Sequence, residues 1–159
     1  MGEVTLRGVE DGDLDGLFEQ MRDPEGVWMA AFTAKNPDDR AHFDAHMAKV
    51  RAAPEVTART VLLDGRAVGH VASFPGEDVG GLEVTYTVDR SVWGQGVASR
   101  ALALLLEEVA DRPLYARAAS DNAASMRVLA KAGFTVIGTE RSFAQARQAE
   151  IEESVLRLD

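Results

Sequence analysis

The segment that most constrains the fold is residues 82–118, where a strand, a glycine-containing loop, a helix and a second strand follow one another. Residues 82–88 alternate apolar and polar side chains, which indicates a β-strand with one buried face. After the loop, Ala101, Leu102 and Leu105 lie on one side of a helix, and residues 114–118 form the next strand. A strand–helix–strand unit of this kind implies parallel pairing across a right-handed crossover.

Antiparallel strands are predicted on both sides of this unit. They comprise residues 4–7, 56–63, 66–74, 134–143 and 151–158. Asp64 and Gly65 connect two of them as a two-residue hairpin turn. The predicted order is one strand, two helices, three antiparallel strands, helix, strand, helix and a closing hairpin. We therefore expect an α+β fold, a mixed, mostly antiparallel sheet with flanking helices.

Two helices are predicted between the first strand and the first hairpin. Their apolar stripes recur at helical spacing and comprise Leu14, Leu17, Phe18 and Met21 in one and Phe43, Met47 and Val50 in the other. Asp13 is placed to cap the first helix, and Asn36 followed by Pro37 marks the start of the second. The apolar segment between them, residues 27–32, is interpreted as a loop that plugs the core.

The composition excludes several classes of protein. The chain of 159 residues has no cysteine, which excludes disulfide frameworks, cysteine-ligated zinc and thiol nucleophiles. Its 17 basic and 26 acidic residues give a net charge of −9, which argues against binding to nucleic acid. No stretch approaches the roughly 20 apolar residues that a membrane span needs. We expect one cytoplasmic domain over residues 1–159, and the abundance of arginine and alanine over lysine suggests a bacterial source.

The glycine loop, residues 93–100, predicts a site for a phosphorylated ligand. Gly94 and Gly96 let the backbone approach a ligand, and the helix that follows aims free N–H groups outward. The absence of a lysine after the loop excludes a nucleoside-triphosphate P-loop. The spacing of Gly94, Gly96 and Ser99 approximates a dinucleotide fingerprint, although the serine and the single crossover count against that alternative. An ordinary turn before a surface helix is the other alternative.

Two motifs together resemble a known superfamily. The first is Trp93-Gly94-Gln95-Gly96-Val97-Ala98 after the alternating strand, and the second runs from Asn122 to Phe134. Both motifs, at this separation, resemble the GNAT superfamily of acetyl-CoA-dependent N-acetyltransferases, and within it the branch that acetylates ribosomal-protein N-termini. The resemblance implies the GNAT fold and acetyl-CoA as cosubstrate without a metal. It also implies transfer of the acetyl group to a primary amine by direct attack in a ternary complex.

The resemblance further implies which residues bind coenzyme A. Backbone amides of the glycine loop are expected to hold the pyrophosphate, and they belong to Gly94, Gln95, Gly96, Val97, Ala98, Ser99 and Arg100. The strand before the loop splays from its parallel neighbour in this family, and the pantetheine arm is expected to pair there with Thr87 and Val88. Asn122 is expected to hydrogen-bond the same arm, and it can cap the following helix at the same time.

Two residues are expected to carry catalysis. Glu83 resembles the strand glutamate that many members of the family use as a base through water, and a solvated glutamate on an exposed face is the alternative. Ser125 is expected to contact or protonate the sulfur of coenzyme A, with helix capping as its alternative. The tyrosine that many members use as an acid corresponds to Leu129 here, so that site supplies no phenol.

Other features have ordinary explanations. His42 and His46 lie four residues apart, but no third ligand accompanies them. A solvated helix face is favoured, with a role near the acceptor as the first alternative and a metal site as the second. His70 is expected to pack within its strand, with a role as base as the alternative. Residues 27–32 have the wall of an acceptor pocket as their alternative, and the glutamates at 150–153 need no function.

The expected partner is an amine acceptor, either a protein N-terminus or a small cationic molecule, and neither nucleic acid nor a membrane. A non-catalytic module that binds or senses acyl-CoA is the first alternative, and a dinucleotide-dependent oxidoreductase is a distant third. A homodimer paired through the sheet edge or the closing hairpin is an alternative that the sequence leaves open.

Overall fold

The structure is a computed structural model that describes residues 2–159, and its strands form a seven-stranded sheet. The strands are β1 (Val4–Gly8), β2 (Thr57–Leu63), β3 (Arg66–Pro75), β4 (Leu82–Val88), β5 (Leu114–Ala119), β6 (Thr135–Ala144) and β7 (Ala149–Leu158). The helices are α1 (Leu14–Arg22), α2 (Pro24–Ala30), α3 (Arg40–Ala52), α4 (Val97–Glu108) and α5 (Ala123–Lys131). The order across the sheet is β1-β2-β3-β4-β5-β7-β6.

The pairing of the strands confirms the predicted fold class. The strands from β1 to β4 pair antiparallel in succession, and β7 pairs antiparallel with both β5 and β6. Only β4 and β5 run parallel, because α4 carries the chain back across the sheet between them. The turn between β2 and β3 has positive φ at Asp64 (51°) and Gly65 (81°), as the hairpin dipeptide predicted.

Helices cover both faces of the sheet. Leu102 and Leu105 of α4 are fully buried in the main core, together with Leu114 of β5. Ala119 of β5 points to the opposite face, where it packs with Ala31 at the end of α2. A second cluster joins α1 to α3, and its Phe18 and Phe43 rings meet edge to face with centroids 5.2 Å apart. None of the helices among residues 2–159 has the length and apolar character that a membrane span requires.

The region between β1 and β2 differs from the prediction, because it contains three helices rather than two. The additional helix α2 begins at Pro24, and the Asp23 carboxylate caps it by accepting the Gly26 N–H at 3.0 Å. A capping aspartate followed by proline is a start signal that outweighs the glycine and the aromatic residue that follow. Trp28 of this helix is 55% exposed, so the prediction of a core plug at this residue is wrong.

Two predicted helix caps are also wrong. Asp13 makes no capping hydrogen bond to α1, because its carboxylate accepts from Arg7 and from the Thr60 hydroxyl instead. The next predicted helix begins at Arg40 and not near Asn36, and Asp39 caps it by accepting the His42 N–H at 3.0 Å. Distant partners occupy the Asp13 carboxylate, whereas Asp39, three residues after Asn36, takes the capping role at α3.

Candidate active site

The parallel strands β4 and β5 separate soon after they begin to pair. Their register contains two pairs, Leu82 with Leu114 and Glu83 with Tyr115. Residues 84–88 of β4 continue without a partner strand on that side, while β5 continues beside β7. The sheet therefore has a wedge-shaped gap in its middle, bordered by backbone groups that need hydrogen-bond partners.

The antiparallel register between β3 and β4 decides which backbone groups border this gap. Asp89 donates its N–H to the carbonyl oxygen of Val68, so alternate residues before it, including Thr87, also direct their backbone groups to β3. The N–H and C=O groups of Tyr86 and Val88 then point into the gap. The expectation for Val88 agrees with this register. The expectation for Thr87 does not, because pairing with His70 engages its backbone.

The glycine loop begins α4 beside the open end of the gap. Gly94 and Gly96 have φ of 75° and 80°, a left-handed conformation that favours glycine. Gly96 is the N-cap of α4, so the amides of the first turn, up to Ser99, have no carbonyl partner within the helix. The amide of Arg100 is different, since it donates to the Gly96 carbonyl oxygen at 3.1 Å. The prediction of a free amide is therefore wrong for Arg100, and for the other six residues it stays a prediction.

Trp93 ties the loop to β4. Its indole Nε1 donates to the carbonyl oxygen of Val88 at 2.9 Å, and the guanidinium of Arg90 lies 5.9 Å from the ring centroid. Arg90 in turn pairs with Asp23 at 2.7 Å, at the start of α2. Because the indole occupies the carbonyl oxygen of Val88, the N–H of Val88 is the backbone group that this residue can offer to a ligand in the gap. This contact fixes the direction in which the loop leaves the strand.

Glu83 lies on the face of the sheet opposite to α4, within a cluster of charged residues. Its Oε1 is 3.5 Å from Nε of Arg117 on β5, and its side chain is 15% exposed. The same guanidinium contacts Glu140 at 2.9 Å and Glu153 at 3.4 Å. Burial raises the pKa of Glu83 above its ordinary value, against the lowering effect of Arg117. A solvated glutamate is therefore the wrong description, and Glu153, dismissed on sequence grounds, is buried too.

Asn122 and Ser125 lie at the start of α5, and Ser125 is on the side of β4 that Tyr86 faces, away from Glu83. Asn122 caps the helix, since its Oδ1 accepts the Ser125 N–H at 3.2 Å. Its Nδ2 donates to the carbonyl oxygen of Met29 at 3.3 Å. The Ser125 Oγ is 2.7 Å from the hydroxyl of Tyr86, a residue that was not predicted to belong to the site. The alternation of β4 could have placed Tyr86 on this face, but it could not have shown the contact with Ser125.

The turn between β6 and β7 holds α2 against the start of α5. Arg147 donates from Nε to the carbonyl oxygen of Trp28 at 2.7 Å, and its guanidinium carbon lies 4.5 Å from the Trp28 ring centroid. The same side chain binds both carboxylate oxygens of Asp121. Arg147 therefore ties α2, with its exposed Trp28, to the start of α5. The alternative of an acceptor wall at residues 27–32 stays a prediction.

Of the three histidines, His70 belongs to the sheet and pairs with Thr87 of β4, while the other two lie on α3. His42 and His46 are exposed on α3, and no group of metal-ligating side chains is found among residues 2–159. Burial, and then the proximity of His46, lowers the pKa of His70 to about 4. Its Nε2 is buried and has no hydrogen-bond partner in the described chain. These features agree with the expected packing of His70 rather than with its use as a base.

Solved structures share this fold over nearly the whole chain. A spermidine N-acetyltransferase from Vibrio cholerae in complex with CoA and spermine superposes with a TM-score of 0.83 at 14% identity, covering 98% of this chain and 94% of that one. RimJ from Mycobacterium smegmatis in complex with CoA-disulfide gives 0.80 at 21% identity, over 99% and 82% of the two chains. A ribosomal-protein-alanine N-acetyltransferase from Brucella melitensis gives 0.80 at 21% identity, over 97% and 98%.

The architecture is thus that of the acyl-CoA N-acyltransferases, with a splayed parallel pair beside a loop that begins a helix. Residues 3–135 match the acetyltransferase (GNAT) domain. The chain belongs to this family of acetyltransferases. The dinucleotide-dependent oxidoreductase that the glycine spacing left open is therefore wrong. No curated protein sequence matches the chain.

Proposed function

We propose that this protein transfers the acetyl group of acetyl-CoA to a primary amine by direct attack in a ternary complex. The observation that carries the proposal is the gap between β4 and β5 with the start of α4 at its open end. An extended amide-containing arm can satisfy the backbone groups that the gap leaves without partners. The first-turn amides of α4 suit a pyrophosphate through hydrogen bonds and the helix dipole.

The residues proposed to bind coenzyme A follow from these two features. Tyr86 and Val88 offer backbone groups to the pantetheine arm, and Asn122 lies beside the same gap at the start of α5. The pyrophosphate is assigned to the backbone amides of Gly94, Gln95, Gly96, Val97, Ala98 and Ser99. The buried side chain of Val97 can take part only through its backbone.

Acetyl transfer to an amine requires a neutral nucleophile and a proton for the leaving sulfur. Glu83 is proposed to accept the proton of the amine, directly or through water. Its raised pKa brings it closer to neutral pH, which suits a base that must release the proton again. Ser125 is proposed to face the leaving sulfur from the other side of β4. Base and proton donor would then lie on opposite faces of one strand, with the gap between β4 and β5 alongside both of them.

The acceptor is proposed to be cationic before it loses its proton. Around Glu83, three carboxylates share the single guanidinium of Arg117, so the face carries excess negative charge. Both a small polyamine-like molecule and a protein N-terminus fit this charge, and the branch that acetylates ribosomal-protein N-termini is the finer proposal. Cytoplasmic location, bacterial source, a single domain and a homodimer stay predictions.

The experiment that tests the proposal measures release of free coenzyme A with a thiol reagent. Because the chain has no cysteine, the reagent reports coenzyme A alone. The acceptors are a linear polyamine, a free amino acid and a short peptide with a free α-amino group, and the same peptide with a blocked N-terminus is the matched control. We expect one amine to accelerate thiol release above the rate without acceptor. Coenzyme A binding without acceleration by any of them would favour the acyl-CoA sensing module.

A further inference from the structure

The chain has two tyrosines, and one of them, Tyr86, contacts Ser125, the residue expected to meet the sulfur of coenzyme A. The Tyr86 hydroxyl is 2.7 Å from Oγ of Ser125 and 3.3 Å from the carbonyl oxygen of the same residue. The two residues are 39 positions apart, on β4 and α5, so the contact exists only in the folded chain. Neither of the two sequence motifs includes Tyr86.

The two oxygen atoms of Ser125 give the phenol a choice of acceptor. When Tyr86 donates to the carbonyl oxygen, the Ser125 hydroxyl can donate back to the phenol. When Tyr86 donates to Oγ instead, the Ser125 proton is free to point to another acceptor. The second arrangement makes Ser125 a proton donor whose oxygen is already stabilised by a hydrogen bond.

Both residues lie at the wall of the gap that the proposed function assigns to the pantetheine arm. The backbone groups of Tyr86 point into this gap, while its ring packs against the main core on the side of α4 and α5. Ser125 is held in the first turn of α5 by the cap from Asn122. The pair is therefore fixed from two elements, which limits the directions that the Ser125 hydroxyl can take.

We propose that Tyr86 is a positioning residue that turns the Ser125 hydroxyl proton toward the leaving sulfur and replaces that proton afterwards. The inference rests on the proposed function and deepens it. It also assigns to β4 a phenol that the family pattern would place on α5, where this chain has Leu129.

The protons and electrons of this step balance. Ser125 Oγ gives its proton to the sulfur as the bond between the carbonyl carbon and the sulfur breaks, and the sulfur keeps the electron pair of that bond. Tyr86 passes its phenolic proton to Oγ across the 2.7 Å contact. The phenolate then recovers a proton from water, and no group is oxidised or reduced.

A purely structural role would have different consequences. Buried hydroxyl groups are almost always hydrogen-bonded, and Ser125 could serve Tyr86 only in that sense. Loss of such a contact would change stability, and the affinity for coenzyme A through the shape of the gap. It would leave the rate of turnover at saturating substrate unchanged.

The test compares Tyr86→Phe, Ser125→Ala and the double variant, with Tyr115→Phe as the matched control. Tyr115 is the other tyrosine, on β5, and its ring lies against Gly81. For each protein, kcat is measured at saturating substrates, the Kd for coenzyme A is measured by calorimetry, and folding is checked by thermal unfolding. We expect Tyr86→Phe to lower kcat by about 10- to 100-fold, the loss expected for one hydrogen bond to a group that carries charge in the transition state.

The double variant separates the proposed role from independent effects. We expect it to turn over as slowly as Ser125→Ala alone and no slower, because Tyr86 acts through Ser125. The Kd for coenzyme A should change less than about twofold, since uniform binding is not affected. A kcat of Tyr86→Phe within twofold of the control, or full multiplication of the two single effects, would overturn the role. No turnover by the unchanged chain would overturn the proposed function itself, and this role with it.

A second readout does not depend on turnover. In the Tyr115→Phe background, the ultraviolet absorbance of phenolate reports on Tyr86 alone. Burial raises the pKa of Tyr86, and the hydrogen bond with Ser125 lowers it in part. Adding Ser125→Ala should therefore raise the pKa of Tyr86 further. An unchanged titration would show that the hydroxyl groups do not interact in solution, which overturns the inference even if Tyr86→Phe fails to fold.

Discussion

Replacing Glu83 by glutamine keeps the size of the side chain and removes the group proposed to accept the proton of the amine. General-base catalysis contributes about 10²- to 10⁴-fold. We expect kcat to fall within that range, while the affinity for acetyl-CoA stays within about twofold. In the unchanged protein, activity should fall as the pH decreases through the raised pKa of Glu83, and this acidic limb should be absent from the variant.

The structure also fixes the sign of the effect on stability. Because the pKa of Glu83 is raised in the folded state, its ionised form costs stability at pH values above that pKa. Glutamine removes this cost and one of the three carboxylates that share Arg117. We therefore expect the thermal midpoint of Glu83→Gln to equal or exceed that of the unchanged protein. A loss of activity that arose from misfolding would lower the midpoint instead.

Glu153→Gln is the matched control for kcat at saturating acceptor, because Glu153 shares Arg117 with Glu83 but is not proposed to accept the proton. Glu153 is also buried and lies 3.4 Å from the same guanidinium, but it is on β7, away from the gap. Steady-state rates over a range of pH, with thiol release as the signal, compare the two variants. A fall in kcat of less than threefold for Glu83→Gln, or an equal fall for Glu153→Gln, would refute the assignment of Glu83 as the base.

Three further substitutions test other parts of the structure. The methyl group of Gly96→Ala meets open space, but the alanine must adopt a φ of 80°, so the free energy of unfolding should fall by about 1–2 kcal/mol. The substitution should also weaken binding of coenzyme A in a calorimetric titration. Gly138→Ala, whose methyl group also meets open space, should have neither effect. Asp13→Ala removes the hydrogen-bond acceptor of Arg7 and of the buried Thr60 hydroxyl, and it should lower the free energy of unfolding by about 3 kcal/mol. Asp11 is exposed, and Asp11→Ala should lower the free energy of unfolding by less than about 0.5 kcal/mol. Arg7 holds the pKa of Asp13 well below its usual range, so the loss of stability in Asp13→Ala should be complete above about pH 4 and should shrink as the pH falls further. A loss of stability that chemical denaturation shows to be independent of pH would contradict this prediction. Arg147→Ala removes the contacts that hold α2 against the start of α5. The KM for the acceptor should rise several-fold, while the KM for acetyl-CoA stays unchanged. Equal changes in both constants would contradict this prediction.

The sequence predicted the elements whose signals are local. The strict alternation of residues 82–88 gave the bounds of β4, and Asp64-Gly65 gave the turn between β2 and β3. Gly94 and Gly96 indicated a loop, and both residues have the positive φ that glycine adopts readily. The helix α2 was missed because its aromatic and glycine content is typical of a loop, although Asp23 and Pro24 carried the start signal.

The contacts within the site depend on register and on distant residues, which no local pattern contains. Which backbone groups of β4 point into the gap follows from its pairing with β3, so Thr87 could not be distinguished from Tyr86 by sequence. The ion pair of Glu83 with Arg117 depends on the crossover, which brings β5 beside β4. The contact between Tyr86 and Ser125 likewise joins residues from different elements.

The functional proposals all depend on binding of coenzyme A in the gap and at the glycine loop. Thermal unfolding with acetyl-CoA, coenzyme A, NAD and NADP, each added in turn, measures this binding. A ligand that binds only the folded chain stabilises it by about 2.7 kcal/mol at 100 times its Kd. We expect a raised midpoint with acetyl-CoA and coenzyme A and an unchanged midpoint with either nicotinamide dinucleotide. Stabilisation by a dinucleotide alone, or by none of the four ligands, would overturn the assignment of this site to coenzyme A.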